Sequence, residues 1–252
     1  MLDTLKNLII KSTINRKSFL WNFFKKMYIF CSKINRFLFI KNWTKNKQKF
    51  LFLINKHANK TNNFFFIQIG ACDGIMNDPL HNMIKKYNWS GILIEPRKNI
   101  FNKLKKTYKK HKNLIFENVA ISKKTGKRNL YKLKDSNIKY SWEKGLATFY
   151  PTKTMASYDK KDIEIEKVNC LKFCDLINKY NVKKVDFLQI DAEGYDYEII
   201  KQIDFNKIKP TLLQYEYIHL NKNDQKECIK LLKDQGYKIF HQEYDSGALL
   251  SK

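Results

Sequence analysis

Gly70, Gly74, Glu95, Asp191 and Glu193 are the residues through which this chain could do chemistry, and their spacing points to a nucleotide-containing ligand. The run Phe64 to Ile69, apolar but for Gln68, stops at Gly70-Ala71-Cys72-Asp73-Gly74, and a second run, Gly91 to Ile94, stops at Glu95. Glycines let the backbone turn sharply after a buried strand and approach a ligand closely. A carboxylate about 20 residues past such a turn can accept the ribose hydroxyls of an adenosine group. A third segment, Val185 to Ile190, ends in Asp191-Ala192-Glu193-Gly194. Ligands in open α/β sheets bind beyond the carboxyl ends of the strands, which directs Asp191 and Glu193 to the same crevice as Gly70 and Glu95. Asp191 could instead cap the following helix, but two carboxylates flanking one residue before a glycine favour a functional role. On these residues alone a dinucleotide and a sulfonium cofactor both stay open.

The elements that must position these residues follow from the pattern of apolar runs. From residue 61 onward strands alternate with helical segments, as in a parallel sheet covered on both faces. Strands are expected at 64–69, 91–95, 114–121, 185–190 and 211–217, and helices near 78–87, 98–110, 170–180, 194–203 and 223–235, with a closing pair near 237–241 and 247–251. Pro79 and Pro96 fall near helix starts, where a missing N–H costs nothing. Gly236 is placed to take the left-handed cap that ends a helix. Residues 122–165 form an irregular insertion with strands near 129–133 and 163–168 and an aromatic loop between them.

The chain has 252 residues, enough for one α/β domain and an appendage. Its five cysteines include no Cys-x-x-Cys pair, so neither a disulfide framework nor a zinc knuckle is indicated and a cytoplasmic location fits best. The net charge of +25 is uneven: residues 1–60 hold 14 Lys/Arg against the single acid Asp3. That segment mixes Trp21, Phe23, Phe24 and Phe30 with lysines and is too interrupted to span a bilayer. It reads as basic amphipathic helices that pack on the domain, pair two subunits, or lie on an anionic membrane surface.

Four segments together carry a resemblance to a known family. Ile69 to Gly74, Gly91 to Pro96, Asn118-Val119-Ala120-Ile121-Ser122, and Asp191 to Gly194 followed by Gln214-Tyr215-Glu216 occur in the order and spacing of the FkbM family of S-adenosylmethionine-dependent methyltransferases. The resemblance runs from about residue 62 to residue 245. It implies a class I, Rossmann-like three-layer sandwich with a seven-stranded sheet, mostly parallel, whose last strand is antiparallel. It implies that Gly70, Ala71, Asp73 and Gly74 form the loop under the methionine part of the cofactor, that Glu95 and Pro96 meet the ribose, and that Asn118, Val119 and Ala120 line the adenine pocket, with Asp191 beside it. It also implies methyl transfer, usually to a hydroxyl of a sugar or another polar natural product. Gln68 stands where many methyltransferases have an acid, and Cys72 where a third glycine is common.

Such a transfer needs donor and acceptor held in line and a group that takes the proton of the attacking hydroxyl. Asp191 and Glu193 are candidates, as are His81 at the start of the first helix and His219 just past strand 211–217. Glu216 ends that strand and faces the crevice as a substrate contact. Asp191, Glu193 and Glu216 could together ligate a hard cation, although no metal is expected. Trp142 and Tyr150 of the aromatic loop would stack on a sugar ring or pack the insertion onto the domain. Two rival functions remain: methylation of nucleic acid, favoured by charge but not by the Asp-Ala-Glu-Gly segment, and a non-catalytic membrane-associated scaffold.

Overall fold

The computed structural model describes residues 45–251. The chain divides into two compact units, residues 1–49 and 50–252. The basic amphipathic helices expected in residues 1–60 therefore lie outside the described residues up to position 44.

Apolar runs build the sheet as the sequence suggests. After helix α1 (45–58), strand β1 (Phe65–Ile69), helix α2 (His81–Tyr87), strand β2 (Ser90–Ile94), helix α3 (Lys98–Thr107) and strand β3 (Leu114–Glu117) form the first half. The insertion adds β4 (Ala120–Ile121), β5 (Gly126–Leu133), β6 (Ala147–Thr148), the short helix α4 (Pro151–Thr154) and β7 (Ile163–Leu171). The second half runs α5 (Phe173–Lys179), β8 (Phe187–Ile190), α6 (Asp196–Ile200), β9 (Leu212–Glu216), α7 (Lys222–Asp234), β10 (Tyr237–His241) and β11 (Asp245–Leu250). The seven-stranded sheet has the order β10-β11-β9-β8-β1-β2-β3. Its last strand, β11, is antiparallel to both neighbours and sits inside the edge strand β10.

Side chains alternate across this sheet, so each strand feeds two cores. Ile67, Ile69, Ile92, Ile94, Leu188 and Leu213 pack on Phe173, Leu176, Ile199 and Leu232 from α5, α6 and α7. Phe66, Leu93, Phe187 and Leu212 pack on Phe50, Ile54, Leu80, Ile84, Phe101 and Leu104 from the other side. The result is the three-layer sandwich that the resemblance implies. Helix α7 ends as expected, with Gly236 at φ +86°.

Three boundaries differ from the sequence reading, each for a physical reason. The strand expected over 114–121 breaks after Glu117, where the Asn118 amide donates to the carbonyls of Glu95 and Pro96 and turns the chain out of the main sheet. Residues 170–171 are strand rather than helix, because Ala120 and Ile121 pair with Cys170 and Leu171. The 122–165 stretch is not irregular: with its flanks it forms a second, four-stranded sheet of order β4-β7-β5-β6.

Helix α1 is joined to the domain by Phe50, whose ring touches Phe187 and Phe240 and sits where a Cβ on Gly247 would fall, 2.5 Å away. His57 Nε2 lies 3.1 Å from the fully buried Asp186 carboxylate, which also accepts the Phe65 N–H. Phe50→Ala should destabilise the chain by about 3–5 kcal/mol in chemical denaturation. A loss under about 1 kcal/mol would show that α1 is not part of this core.

Candidate active site

The loop after β1 is shaped by close backbone contact. Gly70 has φ +81°, and a Cβ there would fall 1.9 Å from the Asp191 carbonyl oxygen, so only glycine lets the ends of β1 and β8 meet. The N–H groups of Gly70 and Ala71 both donate to the Ile94 carbonyl, at 3.0 and 2.9 Å. Gly74, at φ +74°, lies flat on Tyr108, where a Cβ would approach the ring to 2.5 Å. Asp73 is turned inward: its Oδ1 accepts the N–H groups of Ile75 and Met76, at 3.0 and 2.8 Å. Asp73 thus shapes the loop rather than presenting a free carboxylate. Cys72 takes a left-handed φ of +47°, and burial pushes its thiol up to about 11. His81 Nδ1 sits 2.6 Å from the Gly74 carbonyl and braces the same loop. Gln68, 2% exposed, donates its amide to Asp78 Oδ1 at 3.2 Å.

Glu95 ends β2 as a buried carboxylate. Its Oε1 accepts from the Arg97 backbone N–H at 2.9 Å and from Arg97 Nε at 3.1 Å. Its Oε2 makes no hydrogen bond among the described residues and can accept from a ligand hydroxyl. Pro96 and Asn118 are joined through the Asn118 amide, so Asn118 holds the strand end rather than lending its N–H groups to a ligand. Val119 is half-buried against the main core. Ala120 is packed with Leu130, Val168 and Cys170 in the core of the insertion, which takes its side chain away from an adenine pocket.

Beyond β8 and β9 the carboxylates converge. Glu193 is held at φ +51°, its carbonyl accepting from the hydroxyls of Thr148 at 2.7 Å and Thr154 at 2.9 Å. Asp196 is fully buried and accepts the N–H groups of Glu216 and Gly194, at 3.1 and 3.3 Å. His219 Nδ1 lies 2.8 Å from Glu216 Oε2 and 3.1 Å from Glu193 Oε2. One N–H cannot serve both oxygens: it donates to Glu216, and Glu193 Oε2 is buried at ion-pair distance without a hydrogen bond. The carboxylates of Glu193 and Glu216 beside it push His219 up to about 10, so it carries its proton at neutral pH. Burial, opposed by the His219 hydrogen bond, leaves Glu216 raised to about 7.

Asp191 combines exposure with enclosure. Solvent reaches its side chain, yet much of the protein lies around it. That enclosure, followed by repulsion from Glu216, Glu193, Asp196 and Asp245, raises its carboxyl well above the usual range. Among the described residues the donors that come within 4.8 Å of one another are those of Glu193, Glu216 and His219. Asp191 is not in that set.

The aromatic loop divides by role. Tyr150 packs on Tyr195, ring centroids 5.5 Å apart, and Phe149 on the same ring at 5.1 Å, with the Arg128 guanidinium 3.9 Å over Phe149. Tyr150 therefore fastens the insertion to the domain. Trp142 is 49% exposed and stacks parallel to Tyr140. The sequence reading missed Asp78, Arg97, Thr148, Thr154 and Asp196. Only Arg97, next to Glu95-Pro96, carried a local signal; the others act on residues that the fold brings close.

A family model described as the methyltransferase FkbM domain matches residues 68–239. Among solved structures, a methyltransferase FkbM from Methylobacillus flagellatus KT is 12% identical with a TM-score of 0.47, covering 77% of this chain and 47% of that one. A precorrin-6y C5,15-methyltransferase from Geobacter metallireducens GS-15 is 11% identical with a TM-score of 0.41, covering 81% and 89%. The METTL16 MTase domain is 12% identical with a TM-score of 0.46, covering 82% and 68%. No curated protein matches the sequence.

The His219 clamp sets a pH test. Its folded value near 10 lies above the ordinary 6.5, so its stabilising contribution is complete below about pH 6.5 and is lost as pH rises through about 10. NMR of the ring should show an imidazolium at pH 8, and Glu193→Gln with Glu216→Gln should return the titration toward its ordinary range. A neutral ring at pH 8 in the unaltered chain would contradict the clamp.

Proposed function

The chain belongs to the FkbM methyltransferase family, and we propose that it uses S-adenosylmethionine to methylate a hydroxyl of a sugar, glycan or related polar metabolite. The observation that carries this reading is the meeting of a backbone-lined glycine turn, a buried ribose-type carboxylate and an enclosed Asp191 at the carboxyl ends of three adjacent strands. The residues fit the cofactor: Glu95 is buried just past the end of β2, and its Oε2 has no partner among the described residues. When bound, S-adenosylmethionine supplies a methyl group activated by a positively charged sulfur.

The chain's own residues do the rest. Gly70, Ala71 and Gly74 shape the floor on which the methionine part would lie, and Glu95 Oε2 accepts from the ribose. Asp191 takes the proton of the acceptor hydroxyl, because its enclosure and the surrounding carboxylates make it a stronger base than an open aspartate. Glu216 and Glu193, fixed by the His219 imidazolium, maintain that environment. Trp142 with Tyr140 offers a flat exposed face on which a sugar ring can stack. No helix among the described residues is long and apolar enough to cross a membrane. We place the reaction in the cytoplasm, with residues 1–60 in peripheral contact with anionic lipid.

Calorimetry and turnover separate the two carboxylates. Glu95→Ala should weaken S-adenosylmethionine binding by about 10- to 100-fold, the worth of hydrogen bonds to a charged acceptor. Asp191→Asn should leave binding within about twofold while lowering turnover by about 10²- to 10⁴-fold. Unchanged binding in the first would overturn the ribose assignment, and full turnover in the second the assignment of the base.

A further inference from the structure

Arg97 is a buried cation that the mechanism above does not use, and its contacts join two parts of the site. It is 5% exposed, and its guanidinium faces in two directions. Nε meets Glu95 Oε1 at 3.1 Å, while Nη1 donates to the carbonyl of Lys144 at 2.5 Å. Lys144 ends the single turn Ser141–Lys144, which follows Tyr140 and carries Trp142. That turn is a firm unit. Buried Glu143 accepts the N–H groups of Lys139 and Tyr140, at 2.6 and 2.9 Å, and the Tyr158 hydroxyl at 2.8 Å. Its far end also borders the glycine loop, since a Cβ on Gly145 would come within 3.2 Å of the Met76 methyl.

We propose that Arg97 is a positioning residue that couples occupancy of the cofactor carboxylate Glu95 to the placement of the Tyr140–Trp142 turn. Because Arg97 holds Oε1 from both its backbone and its side chain, Oε2 is the carboxylate oxygen left for a ligand. A ribose hydroxyl on Oε2 locks Glu95, Glu95 locks the guanidinium, and the guanidinium fixes the Lys144 carbonyl. The fork geometry is essential: an ammonium at this position could pair with Glu95 but has no second planar donor to span to Lys144. The turn, already joined to Arg97, is thereby held more firmly when the cofactor is in place. This inference rests on the cofactor reading above.

Trypsin can test it, because Lys139 and Lys144 are exposed on either side of Trp142. The full chain and its Arg97→Lys variant would be digested with and without saturating S-adenosylhomocysteine, with calorimetry on the same samples and mass spectrometry to assign the cuts. Arg97→Lys keeps the charge beside Glu95, and its circular dichroism should match the unaltered chain. Ligand should slow cleavage at 139 and 144 by about tenfold in the unaltered chain and by less than twofold in saturated Arg97→Lys. Trp142→Ala, which leaves both lysines and Arg97 in place, should keep the tenfold protection. Equal protection in the unaltered and Arg97→Lys chains, or ligand binding without protection, would overturn the coupling while leaving the cofactor reading intact. Absence of ligand binding in calorimetry would overturn both.

Discussion

The site depends on how tightly the ends of β1 and β8 close on each other. The Asp191 N–H donates to the Ile69 carbonyl at 2.9 Å, and the next residue on β1, Gly70, lies where any side chain would strike the Asp191 carbonyl. The glycine turn starts on one side of this contact and the carboxylate segment on the other. Their separation is therefore set by backbone geometry, not by flexible side chains. The parallel pairing of β1 with β2 adds Glu95 to the same edge, since Gly70 and Ala71 both donate to the carbonyl that precedes it. Positions fixed in this way need no ordering when a ligand arrives, which is the condition for in-line transfer.

Charge is distributed against the composition of the chain. The sequence carries a net +25, yet Glu193, Asp196, Glu216 and Asp245 gather near Asp191, with His219 against Glu193 and Glu216. The net charge of the whole chain therefore does not describe the charge at this site. His219 is a clamp at the edge of this cluster, its Nδ1 donating to Glu216 beside Glu193.

The main sheet was legible because buried parallel strands are continuous apolar runs, and Phe65–Ile69, Ser90–Ile94 and Phe187–Ile190 are buried on both faces. The insertion was not. Gly126–Leu133 and Ile163–Leu171 are half-exposed and rich in charge, and only a few residues such as Leu130, Leu133 and Val168 are sealed in small cores. The Gly loop, Glu95 and the Asp191–Glu193 pair could be read from sequence, since each ends an apolar run. The roles of His81, Asp73, Asn118, Tyr150 and His219 could not, because each is decided by a contact that the fold makes: a loop carbonyl, a local turn, a strand end, a neighbouring ring, a pair of carboxylates.

The most direct test of the central claim is transfer of a labelled methyl group. The full chain would be incubated with methyl-labelled S-adenosylmethionine and separated glycan, polar metabolite, lipid and nucleic-acid fractions from the cells that make it. Label should appear in the glycan or polar metabolite fraction, in an ether stable to mild base, and should be absent with Asp191→Asn. Label confined to nucleic acid, or no transfer to any fraction by a chain that binds the cofactor, would contradict the account.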